Sequence, residues 1–132
     1  MTSMPDTLIL YHADCDDGFG AAYAAWLSLG DGAEYQPVYY GDQIATDRLS
    51  GRQVFILDFS FSPGVLRDMA QHAAKIVLLD HHKSAAAQWS DIEPIPNVEL
   101  QFDMDRSGAQ LAWDYFHSNS VRPPLIDHIG DR

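Results

Sequence analysis

A three-layer, doubly wound α/β fold is what this sequence predicts, with a mostly parallel sheet of about five strands and helices on both faces. Uninterrupted apolar runs carry the first part of that reading. Leu8-Ile9-Leu10-Tyr11, Val54-Phe55-Ile56-Leu57 and Ile76-Val77-Leu78-Leu79 are short, branched and unbroken, as strands buried on both faces must be. Helical signatures between them carry the second part, because right-handed crossovers bring successive strands into one sheet. The third observation is positional. Each run unloads a polar side chain that can bind a metal: His12 after the first, Asp58 after the second, and Asp80, His81 and His82 at the end of the third. Ligands in open α/β sheets collect just beyond the carboxyl ends of strands, so these side chains are expected along one edge.

Taken in order, residues 1–6 form a short lead, 7–11 a strand, and 12–18 the acidic loop after it. Residues 20–29 predict a helix: Ala21, Ala22, Ala24, Ala25, Trp26 and Leu27 favour it, and Gly30 stops it. So many alanines imply close packing on the sheet. Residues 34–40 alternate as an edge strand, a position that suits Pro37, and 41–51 make a polar connector with one helical turn. A strand follows over 53–57. Ser62-Pro63 marks a helix start, with serine capping and proline at the first position. Val65, Leu66, Met69 and Ala73 give that helix its apolar face. The strand 76–79 comes next, then an alanine-rich turn or helix over 84–89, a connector punctuated by Pro94 and Pro96, and a last strand over 98–102. Ser107 caps a helix in which Ala109, Ala112, Trp113 and Phe116 keep the 3.6 period. Pro123-Pro124 breaks it, and 125–129 begin one more. The chain then stops at Asp131-Arg132, an abrupt ending that predicts a fragment of a longer protein.

With 46% hydrophobic residues, 132 residues suffice for one domain with a core. Eight basic against nineteen acidic residues leave a net charge of −11, which argues against a broad nucleic-acid-binding surface. A small phosphorylated substrate is still admissible, because bound divalent cations reverse the local sign. One cysteine, Cys15, permits no intrachain disulfide and suits a reducing compartment, so the cytoplasm is the expected location. Cys15 itself reads as a small packing residue rather than a nucleophile. No secretory leader opens the chain, and no apolar run approaches the ~18 residues of a membrane span.

The side chains expected on one edge are His12, Asp14, Asp16, Asp17, Asp58, Asp80, His81, His82 and, at the end, Asp131. Imidazoles and carboxylates without thiolates suit hard divalent ions, Mn²⁺ or Mg²⁺, better than structural zinc. One bridging carboxylate flanked by two such sets is what a two-ion phosphoryl-transfer site needs, with its ions about 3.5–4 Å apart. His72, His117 and His128 are expected to serve only surface or packing.

His12-x-Asp14-x-Asp16-Asp17-Gly18, then Asp58, then Asp80-His81-His82, resembles the DHH phosphoesterase superfamily in order, spacing and strand context, over nearly the whole chain. That superfamily includes exonucleases, oligoribonucleases, cyclic-dinucleotide phosphodiesterases, exopolyphosphatases and manganese-dependent pyrophosphatases. The resemblance implies a hydrolase with two Mn²⁺ ions, Mg²⁺ being the substitute. It places His12 and a first-loop aspartate on one ion and Asp58 between the two. His81, another first-loop aspartate and Asp131 fall on the second ion. By the same resemblance His82 contacts the scissile phosphate, and Asp80 orients a ligand imidazole. Arg106, Ser107 and Gly108 match the start of the helix that follows the core motifs in one branch, and are expected near substrate. The simplest family pattern is His-x-Asp-x-Asp-Gly. Here Asp17 separates Asp16 from Gly18, so either acid can be the ligand, and the Cys15-x-Asp17-Gly18-Phe19 phrasing favours Asp17. The family's second, smaller substrate-binding domain has no counterpart in this length.

The expected partner is a phosphorylated small molecule or a short nucleic acid, with no membrane. A homodimer is compatible with the residues, which do not decide it. A rival reading is a receiver-like signalling domain, with Asp14 or Asp16, Asp58 and Lys83 around one Mg²⁺ and Asp58 as phospho-acceptor. A metal-binding pseudo-enzyme is the third.

Overall fold

The computed structural model describes residues 5–130. The elements run β1 (Thr7–His12), α1 (Asp16–Leu29), a 3₁₀ turn (Gly30–Gly32), β2 (Ala33–Val38), α2 (Thr46–Leu49) and β3 (Gln53–Leu57). Then come α3 (Pro63–Ala70), β4 (Lys75–Asp80), α4 (Lys83–Ala87), β5 (Val98–Phe102), α5 (Gly108–Phe116) and α6 (Pro124–Gly130). The sheet order is β2-β1-β3-β4-β5, and every pairing is parallel, so the expected α/β architecture holds and "mostly parallel" tightens to wholly parallel.

Alternation along the strands splits the core in two. Leu8, Leu10, Val54, Ile56, Ile76 and Leu78 face one way, onto Leu49 of α2 and Leu66 and Met69 of α3. Ile9, Phe55, Leu57, Val77 and Leu79 face the other way, onto Ala21, Ala24 and Ala25 of α1, Ala109 and Ala112 of α5, and Ile126 of α6. Both faces are covered, which is why these strands carry no polar alternation. The amino end of the sheet is tied by Arg52, only 5% exposed, whose guanidinium donates to the Thr7 carbonyl at 3.3 Å and to Glu34 at 3.0 Å.

Three boundaries depart from the sequence reading. Helix α1 begins at Asp16 rather than at residue 20. Cys15 is its extended N-cap, and Asp16 and Asp17 sit in the first turn, where acids complement the helix dipole. Gly18 lowers helix propensity, yet a Cβ there would lie 2.1 Å from the His12 carbonyl oxygen, so close packing of α1 over the end of β1 requires glycine. Strand β2 stops at Val38, leaving Tyr39 and Tyr40 exposed beyond it. Helix α3 ends at Ala70, and Ala73 joins the core from the following turn. Two helix starts are capped as expected. Ser62 caps α3 with Pro63 following it, and Ser107 forms a full capping box with Gln110.

The topology also positions the edge. Chain direction across the sheet reverses between β1 and β3, and ligands favour the crevice outside such a switch point. Tyr11 pairs with Leu57 and Leu57 with Leu79, so the next residues, His12, Asp58 and Asp80, line up side by side. Among the described residues no helix is long and apolar enough to cross a membrane.

Candidate metal centre

Asp58 is the hub. It leaves β3 in the left-handed backbone region (φ 57°), which aspartate tolerates better than most side chains. The carboxylate is 1% exposed. Its Oδ1 lies 2.8 Å from His81 Nε2, while its Oδ2 lies 3.6 Å from His12 Nδ1 and accepts from the Cys15 thiol at 3.6 Å. One carboxylate therefore faces two sets of donors.

Asp17 meets the same imidazole nitrogen, its Oδ2 3.1 Å from His81 Nε2. The same carboxylate accepts from the first amides of α5, Gly108 N at 3.0 Å and Ala109 N at 2.8 Å. A charged carboxylate at a helix amino end is favoured by the orphan amides and the dipole together. Gly108 is part of this frame: a Cβ there would meet Asp58 Oδ1 at 2.5 Å.

Asp80, fully buried, fixes the other histidine. Its Oδ1 accepts from the His81 amide at 2.9 Å and pairs with His82 Nδ1 at 2.7 Å, while Oδ2 accepts from the Ser60 hydroxyl at 2.8 Å. With Nδ1 donating to a carboxylate, Nε2 is the nitrogen His82 keeps for chemistry.

Charge is unevenly shared here. Hydrogen bonds to Asp17 and Asp58 push His81 up to about 10 against the opposing effect of burial. Burial acts to raise Asp17, but the bond from His81 and the Ala109 and Gly108 amides outweigh it and hold the acid below its usual range. Burial lifts Asp58 above the carboxylate range, with the charges of Asp17 and Asp80 adding and His81 opposing. A pocket of acids that resists full ionisation is one that a cation relieves.

Donor geometry agrees with that. Two groups have ligand atoms all within 4.8 Å of one another: Asp58, Asp80, His81 and His82, and separately His12, Cys15 and Asp58. Asp58 belongs to both. His12 Nδ1 is buried with no hydrogen-bond partner, a costly state for an imidazole nitrogen that a metal bond would remove. These residues fit a divalent ion.

The other expected site residues lie around this centre. Asp14, in left-handed backbone (φ 54°), is exposed and accepts from the Tyr39 hydroxyl at 2.8 Å, outside both donor groups. Asp16 is exposed in the first turn of α1. Asp131 lies outside the described residues. Arg106 and Ser107 line a cavity of about 370 Å³ with Asp17 and His81. The Arg106 guanidinium is held by Asp103 at 2.7 Å and Asp114 at 3.0 Å, and the Ser107 hydroxyl by its capping role. His117 packs as expected, stacked on Trp113 at 3.9 Å and bonded to the Ala24 carbonyl. Cys15 is half-buried rather than buried, and its sulfur lies among the candidate donors, 3.6 Å from Asp58 Oδ2. Its place between Asp14 and Asp16 was the available signal. Ser60 was also missed, and a lone serine two positions after Asp58 gives no signal.

Compared with known proteins, the chain matches no family profile. It is 30% identical over 139 aligned positions, 95% of its length, to an uncharacterized protein of Acanthamoeba polyphaga mimivirus. The match covers 32% of that protein, so the chain spans about a third of the length of this curated relative. No solved structure matches.

Proposed function

We propose that this chain is the metal-binding domain of a DHH-type phosphoesterase, hydrolysing phosphodiester or phosphoanhydride bonds with two Mn²⁺ ions. The observation that carries the reading is the double membership of Asp58, one carboxylate shared by two donor groups. His12 and Asp58 would hold one ion, with the Cys15 thiol beside them, and Asp58 and His81 the other, with the Asp17 carboxylate 3.1 Å from the His81 nitrogen as a further oxygen donor outside the two groups. Bound divalent cations supply Lewis acidity and a water of lowered pKa at such a centre. The chain's own contribution is placement. Asp80, itself held by Ser60, locks the His82 ring through Nδ1, so that in the imidazolium form its Nε2–H would donate to charge building on a phosphoryl oxygen. Asp17 and Asp58 both hold His81 at its Nε2.

Sheet order 2-1-3-4-5 is shared with receiver domains, so fold alone does not separate the rival reading. The surroundings of Asp58 favour hydrolysis. A phospho-acceptor needs an open carboxylate, whereas Asp58 is buried against His12, Cys15 and His81. The experiment is a manganese-edge anomalous map of Mn²⁺-soaked crystals, with release of p-nitrophenol from bis-p-nitrophenyl phosphate measured in parallel. Two peaks flanking Asp58 and Mn²⁺-dependent release are expected. Absence of any peak at Asp58 would end the proposal.

Proton release gives an independent check. His81 must be neutral to bind a metal, yet in the metal-free fold it is protonated up to about 10. Its pKa is raised from 6.5, so its stabilising charge is fully present below that value and lost as pH rises through about 10. Metal and proton compete for it. Mn²⁺ affinity should climb roughly tenfold per pH unit across that window, with about one proton released per ion at His81. Calorimetry in buffers of different ionisation enthalpy reads both, and a flat affinity between about pH 7 and 9 would contradict the ligand role.

A further inference from the structure

A cavity of about 740 Å³ opens beside the centre, between the turn after β2, the start of α3, and α4. Its size falls in the range of roughly 300–1,000 Å³ typical of small-molecule sites. One wall is aromatic. Tyr40, 62% exposed, stacks on the buried Phe59 with ring centroids 4.4 Å apart and 24° between planes, and Phe59 in turn meets the buried Phe61 at 5.1 Å, so the ring open to the cavity is that of Tyr40. The same rings reach the donor cluster, with His12 5.4 Å from Tyr40 and 5.7 Å from Phe59. His82 lines the cavity too. The cavity therefore opens onto the donor cluster at His82.

Charge decides what can fill it. Asp42 and Asp68 line the cavity and no lysine or arginine does, so an additional phosphate would be repelled. Gln43, Gln88 and Ser84 offer uncharged donors and acceptors. A flat, uncharged, heteroatom-edged ring satisfies both demands, with one face on Tyr40 and its edges on amides and a hydroxyl.

We infer that this cavity receives the nucleobase of a nucleotide ester whose phosphate lies at the donor cluster, which makes the substrate a nucleotide rather than pyrophosphate or a polyphosphate chain. The inference rests on the phosphoesterase reading above, and its test separates the two. Adenosine monophosphate and ribose 5-phosphate are titrated into the Mn²⁺-loaded protein. The nucleotide should bind about tenfold more tightly, the usual worth of one stacked base. Ala85→Trp, which puts an indole into the cavity from α4, should erase that preference while Mn²⁺ binding stays at the wild-type level. Val65→Trp serves the same purpose from α3 if the first variant loses Mn²⁺ binding. Equal affinities for the two phosphates, or a preference that survives both tryptophans, would overturn the inference and leave the phosphoesterase reading untouched. If the protein takes up no Mn²⁺, the phosphoesterase reading fails, and free adenosine decides the cavity by itself. Shifts of the Tyr40 and Phe59 ring resonances on adding adenosine then support a base site, and their absence overturns it.

Discussion

Asp58→Asn should weaken Mn²⁺ binding by at least about a hundredfold and reduce Mn²⁺-dependent phosphodiester hydrolysis to background. Loss of a partner outside the metal's own ligands already costs about 10–100-fold in affinity, and Asp58 faces both donor groups directly. The amide keeps the shape of the side chain and removes its charge, so both groups lose their common anion at once. Unfolding is not the expected cause. Burial and the neighbouring carboxylates raise the Asp58 pKa, so whatever stability this group adds is present at low pH and lost as pH rises through the raised value. The amide keeps an oxygen that can accept from His81 and removes a charge that burial disfavours, so the lost ionic pairing with His81 and the relieved burial oppose each other. The metal-free variant should therefore melt close to the wild type, and Mn²⁺ titration beside a thermal scan reads both expectations. Undiminished Mn²⁺ binding would remove Asp58 from the centre.

Gly108→Ala should damage fold and centre together. The new methyl group would lie 2.5 Å from Asp58 Oδ1, 2.6 Å from its Cβ and 2.7 Å from its Cγ. A short, buried side chain cannot swing away, so either α5 retreats or Asp58 leaves its place. Overpacking of this kind costs about 1–3 kcal/mol. A melting midpoint lower by several degrees and a clear loss of Mn²⁺ affinity are expected together. Gly64→Ala is the matched control: nothing lies within 4 Å of a Cβ there, in α3, and alanine favours helix. If both variants melt alike, the close approach of α5 to Asp58 is not what the centre depends on.

Much of the fold was legible because burial on two faces leaves a simple record. Val54, Phe55, Ile56 and Leu57 are all apolar for the reason that their neighbours alternate between two separate cores. The strand ends were legible for the same reason, since Asp58 and Asp80 break otherwise apolar runs. The start of α1 was not. Gly18 looks like a loop residue by propensity, and only the approach of α1 to the end of β1 explains it. Cys15 and Ser60 were hidden by distance. What makes Cys15 a donor is the left-handed turn at Asp14 and an acid on another strand, and what makes Ser60 matter is Asp80. The role of Gly108 as a spacer against Asp58 is equally non-local, as is the grip of Asp17 on α5.

That grip has a consequence for how the domain behaves as a whole. The carboxylate that anchors the first turn of α5 is the one that holds His81, so the helix and the imidazole draw on a single pair of oxygens. Any event that strengthens one attachment must be felt by the other, in both directions and to the same degree. The outermost layer of the molecule is in this way tuned by what happens at the sheet's rim.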